Sequence, residues 1–222
     1  MSDYTIFDII GPIMVGPSSS HTAGACRIGN TAIKICPRKF KKVEFILHGS
    51  FAMTYQGHGT DRALLAGIMG FETYDPRIKD SIQIADDLGI DYEFKKQDLG
   101  ENYHPNTVKI VFTYEDGSSE YIIASSIGGG AINIVNINGV ALNFRGEFPV
   151  ILLQYHEQTG VIAMVSTLLS DRDYNIESMT TSKDNLKNIV TLTVEIDRSL
   201  DPDLQEKILN SDRFLFSKYV EV

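Results

Sequence analysis

Residues 107–124 read TVKIVFTYEDGSSEYIIA, and this stretch predicts a sheet in the first half of the chain. Its first eight residues largely alternate polar and apolar side chains, which is typical of a half-buried strand. Asp116-Gly117 is a hairpin-turn dipeptide, and an apolar segment returns at Tyr121–Ala124. The stretch therefore predicts an antiparallel hairpin.

The residues before this hairpin have helical rather than strand patterns. From Ser20 to Cys36, apolar residues recur at three- and four-residue steps, which places them on one face of a helix. Ser20 or Thr22 can cap its start, and Pro37 ends it. A short strand and two more helices are predicted over Val43–Leu47, Arg62–Gly70 and Ser81–Leu88.

After the hairpin, the pattern changes again. Asn138-Gly139 predicts a second turn, between the strands Ala131–Ile137 and Val140–Phe144. Residues 149–222 then follow the order βαββαβ, the split motif of ferredoxin-like folds. The predicted strands there are Val150–Gln154, Asn175–Thr181, Val190–Ile196 and Phe214–Val222, with helices starting near Gly160 and Pro202.

We therefore predict an α+β protein of two domains, 1–148 and 149–222, which meet at Arg145-Gly146-Glu147. The first domain is a mixed α+β domain, and the second is a ferredoxin-like βαββαβ domain. The segment that joins them is too short to act as a free tether.

Composition excludes several classes of function. The chain holds 20 Lys and Arg against 29 Asp and Glu, a net charge of −9, and both predicted domains are acidic. It therefore lacks the basic surface that nucleic-acid binding requires. No apolar run approaches the roughly 20 residues of a membrane span. Asp3 and Asp8 stand where a signal peptide carries positive charge. We expect a cytoplasmic protein that binds neither nucleic acids nor membranes.

The two cysteines, Cys26 and Cys36, limit the metal chemistry of this chain. An iron–sulfur cluster or a structural zinc site takes about four ligands, and two thiolates are too few to form one. The five histidines also lack the three- or four-residue spacing of metal ligands on one helix. We therefore expect no metal site in this chain, so that any such centre must come from another chain.

The segment GPSSSHT, residues 16–22, precedes the first predicted helix. Serine hydroxyls, a Gly-Pro turn and the free N–H groups of a helix start favour a carboxylate or phosphate there. Ser18, Ser19 and Ser20 are therefore candidate anion ligands, with His21 beside them. The alternative is a Ser-rich helix cap with a surface histidine.

In the segment GHGTD, residues 57–61, His58 stands between two glycines, where the backbone can approach a ligand closely. Asp61 can orient the imidazole, and an imidazole held by a carboxylate is a usual general base near neutral pH. The alternative is a Gly-rich turn into a helix that Thr60 or Asp61 caps.

Two further loops contain candidate site residues. His104 lies in HPNT at the entrance to the first hairpin strand, where it is either a site residue or an ordinary loop histidine. In SSIGGG, successive N–H groups form a candidate anion-binding nest of Ser126, Gly128, Gly129 and Gly130. These glycines equally suit a flexible connection or a bulge. His48, at the end of a strand, is expected to be structural.

These motifs together carry a family resemblance. FDIIGPIMVGPSSSHTAGACRIG, GSFAMTYQGHGTDRALLAGIMGF, HPNT and ASSIGGG resemble the beta chain of iron–sulfur-dependent L-serine dehydratase, over the whole chain. The resemblance implies deamination of L-serine to pyruvate and ammonia in amino-acid catabolism and gluconeogenesis. It implies a partner alpha chain whose cysteines ligate a four-iron four-sulfur cluster. It also implies an N-terminal domain similar to the allosteric-substrate-binding domain of some phosphoglycerate dehydrogenases, and a C-terminal ACT regulatory domain.

The resemblance assigns roles to the candidate residues. The serine carboxylate is expected at the loop Ser18–Ser20 and at the nest that runs from Ser126 to Gly130. His58, oriented by Asp61, is expected to move the proton. His21 and His104 are alternatives that the sequence leaves open.

Part of the second domain resembles the amino-acid effector site of serine-sensing ACT domains. His156 and Asn175 match that pattern, whereas Gln158 stands where Asn is frequent and Thr159 replaces the usual Pro. The resemblance implies self-association through this domain and L-serine as an effector as well as the substrate. The effector ligands would be His156, Gln158, Gly160, Val161 and Asn175. The alternative is a purely structural dimerisation domain.

Two functions of different classes follow from these observations. One is a catalytic subunit that contributes residues to an active site shared with an alpha chain. The other is a non-catalytic, amino-acid-sensing subunit that acts as a scaffold. The Ser, His and Gly loops favour the first, and the ACT-like half suits both.

Overall fold

The hairpin around Asp116-Gly117 forms as predicted in a computed structural model, which describes residues 13–221. Asp3 and Asp8, on which the argument against a signal peptide depends, lie outside the described residues. The chain divides between Asn138 and Gly139 into two compact units. The division falls before the predicted boundary at Arg145–Glu147, so that the strand after the Asn138-Gly139 turn groups with the second unit.

The first unit contains one sheet and short helices. Its strands are β1 (Lys42–Leu47), β2 (Asp91–Lys96), β3 (Thr107–Thr113), β4 (Ser119–Gly128) and β5 (Ala131–Ile137). Its helices are α1 (Ala25–Ile35), α2 (Gly49–Thr54), α3 (Thr60–Ile68) and α4 (Ser81–Asp87), with a π-helical segment at Ser19–Gly24 and a 3₁₀ turn at Pro76–Asp80.

The strands of this unit lie in the order β2-β1-β3-β4-β5, with β2 parallel to β1 and the other pairs antiparallel. Strand β2, with the sequence DYEFKK, was not predicted; only Tyr92 and Phe94 are apolar in it. Apolar and charged contacts both hold it against β1, because Phe94 stacks on Phe45 with 4.8 Å between ring centroids and Lys42 binds Glu93. A charged edge strand of this kind also resists pairing with other chains.

The first helix starts differently from the prediction. The helical segment begins at Ser19 as a π-helix, and Ser18 is the cap, because its Oγ accepts a hydrogen bond from the N–H of His21. The prediction of Ser20 or Thr22 as the cap was therefore wrong. A π-helical turn within a helix is frequently found at functional sites.

Helices α1 and α3 cross closely at two glycines, Gly29 within α1 and Gly67 in the last turn of α3. A Cβ on Gly29 would lie 2.6 Å from the Leu64 carbonyl oxygen, and one on Gly67 would lie 2.2 Å from the Cys26 carbonyl oxygen. No side chain fits between the two backbones at these points, so the two helices are held against each other.

The second unit follows the predicted βαββαβ order after its first strand. Its elements are β6 (Val140–Phe144), β7 (Val150–His156), α5 (Val161–Ser170), β8 (Ile176–Asp184), β9 (Ile189–Ile196), α6 (Pro202–Leu209) and β10 (Phe216–Val220). The order β10-β7-β9-β8 is that of a ferredoxin-like sheet. One face of the sheet packs against α5 and α6 through buried residues such as Leu153, Val165, Leu192 and Leu204. Together the two units confirm the predicted α+β class.

Among the helices of residues 13–221, none is both long enough and apolar enough to cross a bilayer.

Candidate functional site

His21 is held at the start of the first helical segment by two serine hydroxyls. Its Nδ1 lies 3.5 Å from Ser18 Oγ, and its Nε2 lies 3.1 Å from Ser50 Oγ. The ring is buried, with 9% of the residue exposed, and it packs edge-on against Phe51 at 5.2 Å between ring centroids. His21 is thus an ordered, enclosed histidine, not the surface residue of the alternative interpretation.

His58 lies directly beside His21. The two ring centroids are 4.8 Å apart and the ring planes are nearly perpendicular, at 86°. The His58 backbone is tied to the same helical segment, because Thr22 Oγ1 donates a hydrogen bond to the His58 carbonyl oxygen at 3.2 Å. Residue His58 itself is exposed. The structure therefore brings the GPSSSHT and GHGTD motifs together at one place.

Asp61 and Thr60 open helix α3 just after His58. The Asp61 carboxylate accepts a hydrogen bond from the N–H of Arg62 at 2.8 Å, and burial raises the pKa of the Asp61 carboxyl. Within residues 13–221, no hydrogen bond joins Asp61 to the His58 ring. The Thr60 hydroxyl is fully buried, and no partner for it is present among the described residues.

The HPNT loop packs against the first turn of α2. The Pro105 carbonyl oxygen accepts a hydrogen bond from the N–H of Ser50 at 2.8 Å, and Gly49 has a positive φ of 53° at this contact. A Cβ on Gly49 would lie 2.6 Å from the same oxygen, so a side chain is excluded there. His104 itself is exposed, and its Nδ1 accepts a hydrogen bond from the N–H of Asn106.

The fourth loop, SSIGGG, contacts both the HPNT loop and the π-helical segment. Ser125 Oγ lies 2.7 Å from Thr107 Oγ1, and both residues are buried. Ser126 packs against Gly24, where a Cβ would lie 2.1 Å from Ser126 Oγ. The Ser126 hydroxyl is fully buried and has no hydrogen-bond partner among the described residues. An unpaired buried hydroxyl is costly, and such groups concentrate at functional sites.

The three glycines after Ile127 form the turn between β4 and β5. Gly128, Gly129 and Gly130 have φ values of 115°, 59° and 81°, which glycine adopts without strain. Gly128 pairs with Ala131 beside a register shift of the kind that a β-bulge produces, as the alternative interpretation expected. Gly128 and Gly129 are exposed, whereas the Gly130 carbonyl oxygen accepts a hydrogen bond from the Arg27 guanidinium at 3.2 Å.

The electrostatics of the histidine pair favour a neutral His21. Burial lowers the pKa of His21, the nearby His58 lowers it further, and a hydrogen bond with the Ser50 backbone acts in the opposite direction. Two imidazoles at this separation repel each other when both are protonated. Protonation of His21 is therefore disfavoured at this position.

His48 has the structural role that its position predicted. Its Nδ1 accepts a hydrogen bond from the N–H of Leu99 at 3.1 Å, and it lies 3.3 Å from a carboxylate oxygen of Asp98. These contacts hold the loop that follows β2.

The cysteines are unsuited to binding a metal. Cys26 and Cys36 are both buried, and the Cys26 thiol donates a hydrogen bond to the Phe71 carbonyl oxygen at 3.2 Å. Burial raises the pKa of Cys26 to about 12, so the thiolate that a metal needs is strongly disfavoured. No group of three or more His, Cys, Asp and Glu side chains within residues 13–221 has the arrangement of a metal site.

In the second unit, the predicted effector residues separate into two places. Gly160 has a positive φ of 85° and caps helix α5, close in the chain to His156, Gln158 and Val161. Strand β9 separates these residues from Asn175, because His156 pairs with Ile189 at its start and Ile176 pairs with Ile196 at its end. At about 3.3 Å per residue, the two ends of β9 lie roughly 20 Å apart. One copy of the chain therefore does not bring His156 and Asn175 together.

The fold and this site define a class of α+β protein with two units. The first unit gathers histidine, serine and glycine from four separate loops, and the second is ferredoxin-like. The chain belongs to the serine dehydratase beta chain family, whose pattern matches residues 5–136.

Relatives of known name agree with this assignment. The chain is 60% identical over 222 residues to "L-serine dehydratase, beta chain" of Peptoniphilus asaccharolyticus, with 100% of both chains covered. It is 42% identical over 204 residues to "Probable L-serine dehydratase, beta chain" of Bacillus subtilis strain 168, with 92% of each covered. It is also 24% identical over 167 residues to "D-3-phosphoglycerate dehydrogenase" of the same strain, which covers 72% of this chain and 30% of that protein.

Proposed function

We propose that this chain is the beta subunit of an iron–sulfur L-serine dehydratase, which eliminates water from L-serine to give pyruvate and ammonia. The family match and the two relatives named L-serine dehydratase beta chain support the proposal. The observation that carries it is the 4.8 Å separation of the His21 and His58 rings. This short distance places the GPSSSHT and GHGTD motifs, which are far apart in the sequence, at one site.

His58 is the residue that takes the proton from Cα of the substrate. The described residues leave both of its ring nitrogens without a partner, and the residue is exposed to an incoming ligand. His21 is buried between two serine hydroxyls, and His104 already accepts a hydrogen bond at Nδ1. A general base must reach the proton that it abstracts, and His58 meets that requirement best. Asp61, which follows His58 in the chain at the start of helix α3, contributes a negative charge near the site.

The serine carboxylate binds between the π-helical segment and the glycine nest. The first N–H groups of a helical segment attract anions, and Ser18, Ser19 and Ser20 lie at this start. The exposed N–H groups of Gly128 and Gly129 supply further donors, with the unpaired hydroxyl of Ser126 behind them. Gly130 completes the turn.

The four-iron four-sulfur cluster belongs to a partner alpha chain and not to this chain. The buried, high-pKa thiol of Cys26 does not fit a cluster ligand, and Cys36 is equally buried. The beta subunit therefore contributes substrate binding and proton transfer, and its activity depends on the alpha chain.

The second unit acts as an ACT regulatory domain that associates with a second copy. Its ferredoxin-like strand order and the left-handed Gly160 at the start of α5 support this role. Because His156 and Asn175 lie at opposite ends of the sheet, an effector that touches both must bind between two copies. L-serine is the proposed effector, and it regulates activity through different affinities for two states of the assembly.

The test is an anaerobic serine deaminase assay of the purified chain, alone and combined with its alpha chain. Activity is expected only from the combination. If the combined chains release no pyruvate from L-serine while L-serine still binds to the beta chain, the chain is a non-catalytic sensor. The proposal would then be wrong.

A further inference from the structure

Ser50, the second residue of the motif GSFAMTYQGHGTDRALLAGIMGF, connects three parts of the site. Its N–H donates to the Pro105 carbonyl oxygen at 2.8 Å, and its own carbonyl oxygen accepts from Thr54 Oγ1 at 2.9 Å. Its side-chain Oγ lies 3.1 Å from His21 Nε2. One residue thus joins the HPNT loop, helix α2 and the π-helical segment.

The place of Ser50 is set by the backbone and not by His21. Gly49 makes the close backbone contact with Pro105 that no other residue allows, and the N–H of His48 donates to the Thr107 carbonyl oxygen at 3.0 Å. These contacts fix the turn into α2 on both sides of Ser50. The hydroxyl therefore meets the His21 ring from a rigid support, which is the requirement for a side chain that orients another.

Ser50 is the closer of the two polar partners of the His21 ring. The contact between His21 Nδ1 and Ser18 Oγ is 3.5 Å long, at the outer limit of a hydrogen bond, whereas that of Nε2 with Ser50 Oγ is 3.1 Å. Phe51 bounds the ring on one side and His58 on another. The Ser50 hydroxyl is therefore the side-chain partner of the buried Nε2.

We infer that Ser50 is a positioning residue, whose hydroxyl holds the His21 imidazole in one tautomer and in the orientation that meets His58. Its effect on turnover passes through His21 and rests on the proposed function. Its effect on the tautomer of His21 does not rest on that function, because every group involved belongs to this chain.

The protonation of His21 depends on groups other than the Ser50 hydroxyl. The elements packed around His21 also contain Arg27 and Asp61, but the charge that acts on it is that of His58. Burial and His58 lower the pKa of His21, and a hydrogen bond with the Ser50 backbone partly offsets them. Because Ser50→Ala keeps that backbone, loss of the hydroxyl should change the tautomer and orientation of the ring.

Nitrogen-15 NMR of histidine-labelled full-length chain tests this directly, with His21→Gln used to assign the His21 signals. Wild type should show a single His21 tautomer. Ser50→Ala should show mixed tautomers, and Ser50→Thr, which keeps the hydroxyl, should resemble wild type. Ser81→Ala is the matched control, because it removes a buried serine hydroxyl that donates to the Arg62 carbonyl oxygen and not to His21. Unchanged His21 signals in Ser50→Ala, or equal changes in Ser81→Ala, would overturn the inference.

Steady-state kinetics of the complex with the alpha chain provide the second measurement. Ser50→Ala should lower kcat by roughly tenfold, the scale of one lost hydrogen bond to a buried group, with little change in KM for serine. Ser50→Thr should recover most of the loss. Full kcat in a folded Ser50→Ala complex would contradict the inference. A wild-type complex without serine deaminase activity would contradict the proposed function instead, and the NMR result would then decide the role of Ser50.

Discussion

The His58 ring meets the buried His21 ring edge to face, with 4.8 Å between their centroids. This contact and the burial of His21 give the chain a pH-dependent stability. Burial, aided by His58, lowers the pKa of His21 below its ordinary value of 6.5, so near that pH the folded chain binds fewer protons than the unfolded chain. The stabilising contribution is complete above about pH 6.5 and is lost as the pH falls through the lowered pKa of the folded state.

The first prediction is that His21→Gln flattens this dependence. Free energies of unfolding measured by urea titration between about pH 7 and pH 5 should decrease less in His21→Gln than in wild type. Gln has no titratable group, so the variant lacks the protonation that burial disfavours in the folded wild type. Equal slopes for the two proteins over this range would show that His21 is not a titrating group of this kind.

The second prediction concerns proton transfer. His58→Ala in the complex with the alpha chain should lower kcat by on the order of 10²-fold or more, the usual contribution of a general base. His104→Ala is the comparison, since its ring already has a hydrogen-bond partner and should matter less.

His48→Ala supplies the control for a structural histidine. It should lower the melting temperature, because it breaks the contact with the Leu99 N–H, and leave kcat largely unchanged. A folded His58→Ala complex with near-normal turnover would move the base role to His21 or His104.

The third prediction tests the contact between the π-helical segment and the SSIGGG loop. In a helical backbone, Ala is preferred over Gly by about 1 kcal/mol, so Gly24→Ala would stabilise if space allowed. The added Cβ would lie 2.1 Å from Ser126 Oγ, and overpacking of this kind costs about 1–3 kcal/mol. Gly24→Ala should therefore lower the free energy of unfolding, as measured in urea.

Gly57→Ala is the matched control for that substitution, because the nearest atom to its added Cβ is 3.7 Å away. Combining Gly24→Ala with Ser126→Gly should recover part of the loss, since the two changes share one contact. If Gly24→Ala is as stable as wild type, the two segments do not pack as the structure shows.

Much of the fold follows from sequence pattern alone. The alternation in residues 107–124 and the βαββαβ order after residue 149 are regular because each strand has one buried face. Strand β2 and helix α2 did not follow. Strand β2 is a six-residue segment with only Tyr92 and Phe94 apolar, and helix α2 is a single short helix within a Gly-rich segment. Both are too short for an apolar period to stand out in the sequence.

The candidate site was predictable by residue type and not by arrangement. Histidines within Gly- and Ser-rich loops stand out in a sequence, and this marked His21, His58 and His104. Ser50 did not stand out, because its importance comes from meeting His21 across 29 positions of the chain. For the same reason, the sequence pattern does not show that His156 and Asn175 lie at opposite ends of a sheet, which only the strand register reveals.

The fourth prediction concerns the source of iron. The chain purified alone should be colourless and inactive, and iron should appear only with the alpha chain. Cys26→Ala and Cys36→Ala complexes should contain as much iron as wild type, measured by absorbance and metal analysis, although the buried Cys26→Ala loses a hydrogen bond and some stability. A brown, active chain in isolation would contradict the assignment of the cluster to the partner.

The fifth prediction concerns the effector site and uses the register of strand β9. If L-serine binds between two copies, each site takes His156 from one copy and Asn175 from the other. His156→Ala and Asn175→Ala should then each abolish serine binding when present in both copies of a dimer. In a mixed dimer of the two variants, one site carries both substitutions and the other carries neither. Titration calorimetry of mixed dimers should therefore recover one site of wild-type affinity per dimer. No binding in the mixed dimer would place the site within a single copy, and full binding in either single-variant dimer would remove that residue from it.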